Sequence, residues 1–189
     1  MRIIAGSYKG RVLKTTTGPG FRPAMGKVRE ALFSMLEARG VDWRDARVLD
    51  LFAGSGSLGF EALSRGAGQV CFVESASYAA KVIAANARLL GVEPGRVVIR
   101  QEDAAKALAR RPEAPYSVVF IDPPYRLDLL AAMLSSLVKH GWAGQEAIIN
   151  AEVESKLPFD PETAHPSLEL LADRTYGQTR VILWNMNAA

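Results

Sequence analysis

Short apolar runs alternate with longer amphipathic stretches through most of the chain. Between Lys27 and Arg39 apolar residues recur at helical spacing, and Gly40 suits the C-terminal end of that helix. The pattern that follows predicts strands at 47–51, 70–74, 97–100 and 117–121, and helices at 57–65, 77–90 and 104–110. Strands that alternate with helices in this way predict an α/β fold with a parallel sheet covered on both faces.

Both ends of the chain depart from this alternation. After a predicted helix at 127–139 and a strand at 146–153, two β-like runs at 168–176 and 180–186 are joined by a connection short enough only for an antiparallel hairpin. At the other end, Met1 to Lys14 reads as two short strands around a turn, and a loop follows as far as Pro23. We therefore predict a β-hairpin extension, residues 1–24, on a single domain, residues 25–189.

The composition is typical of a soluble globular protein, with 49% apolar and 23% charged residues in a chain of 189. No apolar stretch approaches the roughly 20 residues that span a bilayer, and the first residues are too short in their apolar part for a signal peptide. We expect a cytoplasmic protein without membrane contact. Cys71, the single cysteine, lies in an apolar run and is expected to be buried and inert, while His140 and His165 are too far apart to indicate a metal site.

The net charge of +3 conceals an asymmetry along the chain. The first 29 residues contain seven basic side chains and no acid, which leaves 16 basic and 20 acidic residues for the rest of the totals of 23 and 20. A basic segment on a slightly acidic body is expected where that segment contacts phosphates, although a solvated surface hairpin would look the same. The predicted substrate contacts in this segment are Arg2, Lys9, Arg11, Lys14 and Arg22.

A glycine-rich turn follows the first strand of the alternating region. Residues 54–59 match the G-x-G-x-x-G spacing, open a helix, and are followed about 20 residues later by Glu74, where an acid would bind a ribose. Taken alone, this pattern permits NAD, FAD or S-adenosylmethionine. Asp50 would repel a pyrophosphate but attract the ammonium or sulfonium of S-adenosylmethionine, which favours that cofactor. The alternative is that the glycines only permit a tight turn and that Asp50 caps the helix.

Asp103 follows the third strand and places another acceptor at the same edge of the sheet. It could accept from the exocyclic amine of adenine or cap the helix that begins at Ala104, and the two roles are compatible. The predicted cofactor-binding residues are Asp50, Phe52, Ala53, Gly54, Ser55, Gly56, Glu74, Asp103 and Ala104.

The tetrapeptide Asp122-Pro123-Pro124-Tyr125 ends the fourth strand with a rigid polar tip, because two prolines fix φ and force extended geometry before them. The amine of a nucleobase is a poor nucleophile and must be held by acceptors. The carboxylate of Asp122 and the carbonyl of Pro123 can accept its two hydrogens and stabilise the developing positive charge, and Tyr125 can stack on the base. The pattern favours methylation of an exocyclic amine but leaves guanine N2, adenine N6 and cytosine N4 open; a rigid turn with a packed Tyr125 is the structural alternative.

Over nearly its full length the chain resembles the bacterial RsmD-type 16S ribosomal RNA (guanine-N2)-methyltransferase family. The resemblance is carried by residues 2–6 and 9–11, Arg22-Pro23 through Phe33, Asp50 to Gly59, Glu61 to Ala67, the tetrapeptide at Asp122, and Tyr176-Gly177. Ala24 departs from it, since a threonine is expected after Arg22-Pro23.

The resemblance implies a Rossmann-like methyltransferase fold with a mostly parallel seven-stranded sheet. It also implies S-adenosylmethionine as the cofactor, with S-adenosylhomocysteine as product and no metal, and a monomer that acts on ribosomal RNA in the assembling small subunit. Gly54 and Gly56 would contact the cofactor, Glu74 its ribose and Asp103 its adenine, while Asp122 would bind the target amine.

Two further functions stay open from the residues themselves. A nicotinamide-dependent oxidoreductase would use the same glycine spacing, but Asp50 and the lack of an evident hydride-acceptor site count against it. A non-catalytic RNA-binding protein would not need an intact Asp122-Pro123-Pro124-Tyr125. Arg29 is ambiguous, because it could pair with Glu30 or Glu61 as easily as with RNA.

Overall fold

The computed structural model describes residues 1–16, 25–123 and 127–187, and in this part of the chain one seven-stranded sheet is flanked by helices. The strands are β1 (Arg47–Leu51), β2 (Gln69–Val73), β3 (Val97–Arg100), β4 (Tyr116–Ile121), β5 (Ala143–Glu154), β6 (Leu168–Tyr176) and β7 (Thr179–Met186). The helices are α1 (Met25–Ala38), α2 (Ser57–Arg65), α3 (Ser77–Leu90), α4 (Ala104–Leu108) and α5 (Leu127–Lys139).

The strands lie in the order β3-β2-β1-β4-β5-β7-β6. The first five are parallel, β7 runs antiparallel to β5, and β6 runs antiparallel to β7, which confirms the predicted fold class and the C-terminal hairpin. The chain passes outward from β1 to β3 and returns to add β4 on the other side of β1. Open α/β sheets bind ligands at such a reversal, outside the carboxyl ends of the strands.

Side chains alternate between the two faces of the sheet, and each face has its own core. On one face, Phe33 of α1 packs against Phe120 of β4 with ring centroids 5.7 Å apart, and α2 and α3 cover the same side. On the other face, Leu49 of β1 and Ile121 of β4 lie in a cluster with residues of α4 and α5. The central strands are therefore apolar on both faces, which is why their sequences read as continuous runs.

The N-terminal segment forms the predicted hairpin. It is paired by an antiparallel bridge between Arg2 and Val12 and by bonds such as Leu13 N to Met1 O at 2.7 Å, although its two arms are too short to form regular strands. Ile3 and Leu13 are each 2% exposed and join the core under α1 and α2. The segment is docked onto the domain through these side chains, and a division at residue 24 stays a prediction because residues 17–24 are not among those described.

Other elements differ from the predictions only in extent. β5 starts at Ala143, three residues early, and its pairing with β4 shifts register between Tyr116 and Val118. Glu146, in the extra stretch of β5, has a φ of 57°, as expected where a bulge interrupts the ladder. Cys71 is buried, as predicted. No helix among the described residues is long and apolar enough to cross a membrane.

Candidate active site

The turn between β1 and α2 is built on left-handed backbone. Phe52, Gly54 and Gly56 have φ values of 58°, 56° and 80°. This conformation costs an L-residue about 1–2 kcal/mol, a cost that glycine avoids, so the strain is concentrated at Phe52. Non-glycine residues held in this region are characteristic of ligand-binding sites.

The three glycines of the turn have different surroundings. A Cβ on Gly59 would lie 2.3 Å from Cε1 of Phe72, and one on Gly56 would lie 2.7 Å from the Phe60 ring, so both positions need glycine for close packing. A Cβ on Gly54 would meet nothing within 4 Å. Gly54 therefore borders open space at the carboxyl end of β1, where a ligand can approach the backbone.

Glu74, at the end of β2, holds this turn in place. Its Oε2 accepts from Gly54 N at 2.8 Å and its Oε1 accepts from Ala76 N at 2.8 Å. Each carboxylate oxygen can accept a second hydrogen bond, so these contacts are compatible with ribose binding. The backbone of Ala53 is also fixed, since its N–H donates to Val73 O at 3.2 Å.

Asp50 lies beneath the turn and is 2% exposed. Its Oδ2 accepts from Gly59 N at 3.0 Å, which anchors the first turn of α2 to the end of β1. Burial raises the pKa of Asp50 well above its usual range, the bond from Gly59 opposes this, and the charges of Asp122, Glu152 and Glu74 raise it further. The helix-anchoring alternative is thus present, while a direct contact with a cofactor stays a prediction.

Asp103 and Ala104 stand at the same edge of the sheet, after β3. Asp103 is exposed and caps α4, accepting from Lys106 N at 3.0 Å, whereas Ala104 is buried. The capping role is confirmed, and an adenine contact stays a prediction. Ser55 in the glycine turn is 7% exposed, and its carbonyl accepts from Asn86 of α3 at 3.1 Å.

Asp122 follows β4 directly and lies beside the glycine turn. Its side chain is exposed, Pro123 is buried, and Asp122 N lies 3.5 Å from Leu51 O at the end of β1. Asp122 and the start of the turn therefore lie together at the point where the strand order reverses. Tyr125 and Arg22, together with the departure at Ala24, lie outside the described residues.

Sequence reasoning missed Glu152 of β5. Its side chain is half-buried, and the pKa is raised to about 8 by burial and by the charge of Asp122, with Arg29 acting in the opposite direction. The register of β4 and β5 pairs Phe120 with Asn150 and Ile121 with Ala151, so the next residues in line are Asp122 and Glu152. The signal in the sequence was an acid within an apolar strand, but only the sheet order shows which residue it faces.

The contacts of Arg29, on α1, show the role of this side chain. It is 5% exposed, donates to Arg2 O at 2.7 Å, and lies 3.8 Å from Oε2 of Glu61. Burial lowers the pKa of Arg29, and the negative charges of Glu61 and then Glu152 oppose that shift. Of the roles left open from the sequence, the structure shows the ion pair with Glu61.

The predicted substrate residues Arg2, Lys9, Arg11 and Lys14 are all exposed. Arg11 donates to Leu89 O at the end of α3 at 2.6 Å, and Lys14 is held through its backbone by Asn86. Asn86 is fully buried, accepts from Lys14 N at 2.8 Å, and donates to Lys14 O at 2.9 Å. Because Asn86 also binds Ser55 O, one side chain connects the basic segment to the glycine turn.

Within the described ranges, no group of three or more His, Cys, Asp or Glu side chains is arranged to hold a metal ion.

One family model and several known proteins match most of the chain. The family model described as "Conserved hypothetical protein 95" matches residues 1–185. The ribosomal RNA small subunit methyltransferase D of Escherichia coli is 40% identical over 163 residues, which cover 85% of this chain and 79% of that protein. The protein of the same name from Haemophilus influenzae is 35% identical over 179 residues, which cover 94% and 89% of the two chains.

Among solved structures, that of the Escherichia coli protein yhhF, named as a methyltransferase, superposes with a TM-score of 0.85 at 33% identity. The superposition covers 100% of this chain and 99% of the other. The similarity therefore extends over the N-terminal segment, the glycine turn and the C-terminal hairpin alike.

Proposed function

The chain belongs to the family described as conserved hypothetical protein 95, the RsmD family, and on that premise we propose that it methylates the exocyclic N2 amine of a guanine in small-subunit ribosomal RNA. The cofactor is S-adenosylmethionine. The observation that carries the proposal is the position of Asp122 beside the end of β1, where the glycine turn begins: Asp122 N lies 3.5 Å from Leu51 O.

The residues at the carboxyl edge of the sheet fit this cofactor. Gly54 borders open space and can let a ligand lie close to the backbone, while the carboxylates of Glu74 and Asp103 can accept from ribose hydroxyls and from the adenine amine. Bound S-adenosylmethionine supplies a methyl group on a positively charged sulfur. The carboxylates of Asp122 and Glu74 near the turn favour a ligand of positive charge over a dinucleotide pyrophosphate.

Asp122 and Pro123 hold the target amine. Their oxygens accept its two hydrogens, which turns the nitrogen lone pair toward the methyl carbon and stabilises the charge that develops on nitrogen. With S-adenosylmethionine bound, transfer would form the nitrogen–carbon bond as the carbon–sulfur bond breaks, and the carboxylate of Asp122 would accept the proton that the amine then loses. Positioning supplies most of the rate in such a reaction.

The exposed basic side chains of the N-terminal segment suit an RNA substrate. Arg2, Lys9, Arg11 and Lys14 can contact phosphates around the site while a base enters it, and Arg22 extends the same basic run in sequence. We place the protein in the bacterial cytoplasm as a monomer acting on the assembling small subunit, and sedimentation of the purified protein tests the oligomeric state.

Asp122→Ala tests the assignment of the amine site. We expect the affinity for S-adenosylhomocysteine, measured by calorimetry, to stay within about threefold, while methyl transfer falls by about 100-fold or more because a preorganised acceptor is lost. Asp103→Ala is the converse control, since it should raise the KM for S-adenosylmethionine and leave kcat largely intact. Wild-type turnover by Asp122→Ala would remove Asp122 from the mechanism.

The oxidoreductase alternative has a direct thermal test. A ligand at 100 times its Kd stabilises a protein by about 2.7 kcal/mol, which for a domain of this size raises Tm by roughly 5–10 °C. We expect this shift with S-adenosylhomocysteine and none with NADH. The reverse result would replace the proposed function with hydride transfer.

A further inference from the structure

Two carboxyl groups on neighbouring strands meet at the edge of the candidate active site. The parallel register of β4 and β5 brings Asp122 and Glu152 into line, and residues paired in this way project from the same face of a sheet. Asp50 of β1 is paired with Phe120, which places it on this face too. The charges of Asp122 and Glu152 are close enough to influence each other and that of Asp50.

Below Glu152 on the same face lies a second polar side chain. Asn150 is fully buried and donates to Ile182 O at 3.3 Å, but its Oδ1 has no hydrogen-bond partner among the described residues. A buried acceptor without a donor costs about 1–3 kcal/mol. Asn150 therefore adds a further polar group to the face of the sheet that carries Asp122 and Glu152.

We propose that Glu152 selects guanine by accepting a hydrogen bond from its N1–H while Asp122 binds the neighbouring N2 amine. The inference rests on the proposed function and names the residue that chooses the base. Asp122-Pro123-Pro124-Tyr125 can bind the amine of guanine, adenine or cytosine, so a further residue must distinguish these bases.

The bases differ in the hydrogen-bonding groups along their edges. Guanine presents two adjacent donor groups, the ring N1–H and the N2 amine. Adenine and cytosine present an unprotonated ring nitrogen beside their amine, so their edge offers one donor and one acceptor. Above its pKa of about 8 Glu152 is ionised, and two neighbouring carboxylates with acceptor oxygens match guanine. A ring nitrogen would set its lone pair against that of the ionised Glu152, so the preference for guanine is expected above about pH 8. Sites built to bind a substrate N–H reject analogues that lack it by about 10⁴-fold or more.

Glu152 takes no part in bond making on this account and only positions the base. A purely structural role would be to neutralise Arg29, whose charge affects the Glu152 pKa. Arg29, however, already has Glu61 at 3.8 Å and the Arg2 carbonyl at 2.7 Å. Loss of this interaction with Arg29 would not change the preference between two bases, so that preference, measured in Glu152→Gln, separates the two roles.

The test uses small ribosomal subunits assembled with either guanine or 2-aminopurine at the nucleotide that the wild-type protein methylates. 2-Aminopurine keeps the amine at C2 but has an unprotonated N1. We expect the wild-type protein to prefer guanine by at least about 100-fold in kcat/KM. In Glu152→Gln, the amide can donate to that N1, and the preference should fall by at least tenfold. Glu154→Gln, an exposed change on the same strand, should keep the wild-type preference.

The outcomes separate the inference from the function on which it rests. An unchanged guanine preference in Glu152→Gln, with wild-type protein active on guanine, would overturn the role of Glu152 alone. Wild-type protein that forms no N2-methylguanosine would overturn the proposed function and this inference together. Circular dichroism and Tm of Glu152→Gln verify that the variant is folded, so a change in preference reports on the base.

Discussion

Replacing Glu61 with glutamine should release the N-terminal segment from the domain. Glu61 is fully buried on α2, and its Oε2 accepts from Ile4 N at 2.8 Å while its Oε1 accepts from Ala5 N at 3.0 Å. The same carboxylate lies 3.1 Å from Arg65 Nε and 3.8 Å from Arg29 Nε. One side chain thus holds the backbone of the segment and neutralises a buried arginine.

The magnitude follows from these contacts. A hydrogen bond to a charged group contributes about 1.5–3 kcal/mol, and the glutamine amide can replace only one of the two acceptors that Ile4 N and Ala5 N use. The variant also leaves Arg29, 5% exposed, without its nearest opposite charge, and breaking a buried ion pair costs about 3–5 kcal/mol. We expect the free energy of unfolding to fall by about 3–5 kcal/mol, equivalent to roughly 10 °C in Tm.

Urea unfolding followed by fluorescence measures this change, and Glu37→Gln is the matched control. Glu37 also contacts Arg65, at 2.6 Å, but its side chain is 46% exposed, so its loss should cost at most about 1 kcal/mol. RNA association at low salt should weaken in Glu61→Gln and persist in Glu37→Gln. A loss below 1 kcal/mol in Glu61→Gln, or one equal to that of the control, would refute the reasoning.

Three other sites give predictions of different kinds. Gly54→Ala should weaken S-adenosylhomocysteine binding by at least tenfold in calorimetry with a modest loss of Tm, because its Cβ would meet only the open space beside the turn. Gly59→Ala should mainly lower Tm, because its Cβ would lie 2.3 Å from Phe72. Asn86→Ala should cost about 1–3 kcal/mol in urea unfolding and raise the KM for RNA, since one side chain holds both Lys14 and the glycine turn. In the folded protein the pKa of Glu152 is raised from its ordinary value of 4.5 to about 8. Protonation of this side chain therefore stabilises the folded state, and this stabilisation is lost as the pH rises from about 4.5 to about 8. Glu152→Gln should therefore gain stability over the wild type between pH 5 and pH 8, by at most about 1.4 kcal/mol for each pH unit, and an advantage that shrinks with rising pH would contradict the assignment.

Local patterns were enough to predict most of the fold. Strand and helix periods located nearly every element between residues 25 and 187, because parallel strands buried on both faces leave continuous apolar runs and glycines mark the turns. The common position of Gly54, Glu74 and Asp122 could be predicted for the same reason, since each follows a strand, and the carboxyl ends of parallel strands meet at one edge of a sheet.

The rest depended on contacts between distant parts of the chain. Glu152 lies near Asp122 only because β5 pairs with β4 in a particular register. The apolar pattern of β5 does not indicate that register. The docking of the N-terminal segment likewise depends on Glu61, 57 residues from Ile4, so its charge pattern indicated a basic appendage rather than a packed one. For Asp50 the sequence left a cofactor contact and a helix cap open; the bond from Gly59 N shows the second role, and the first stays a prediction.

Transfer of labelled methyl from S-adenosylmethionine to small ribosomal subunits from cells lacking this protein, followed by nucleoside analysis, tests the central claim most directly. The account predicts label in N2-methylguanosine with the wild-type protein and none with Asp122→Ala. Label in another methylated base would contradict the guanine assignment while leaving the fold and the amine site in place, and the absence of any label would contradict the catalytic function itself.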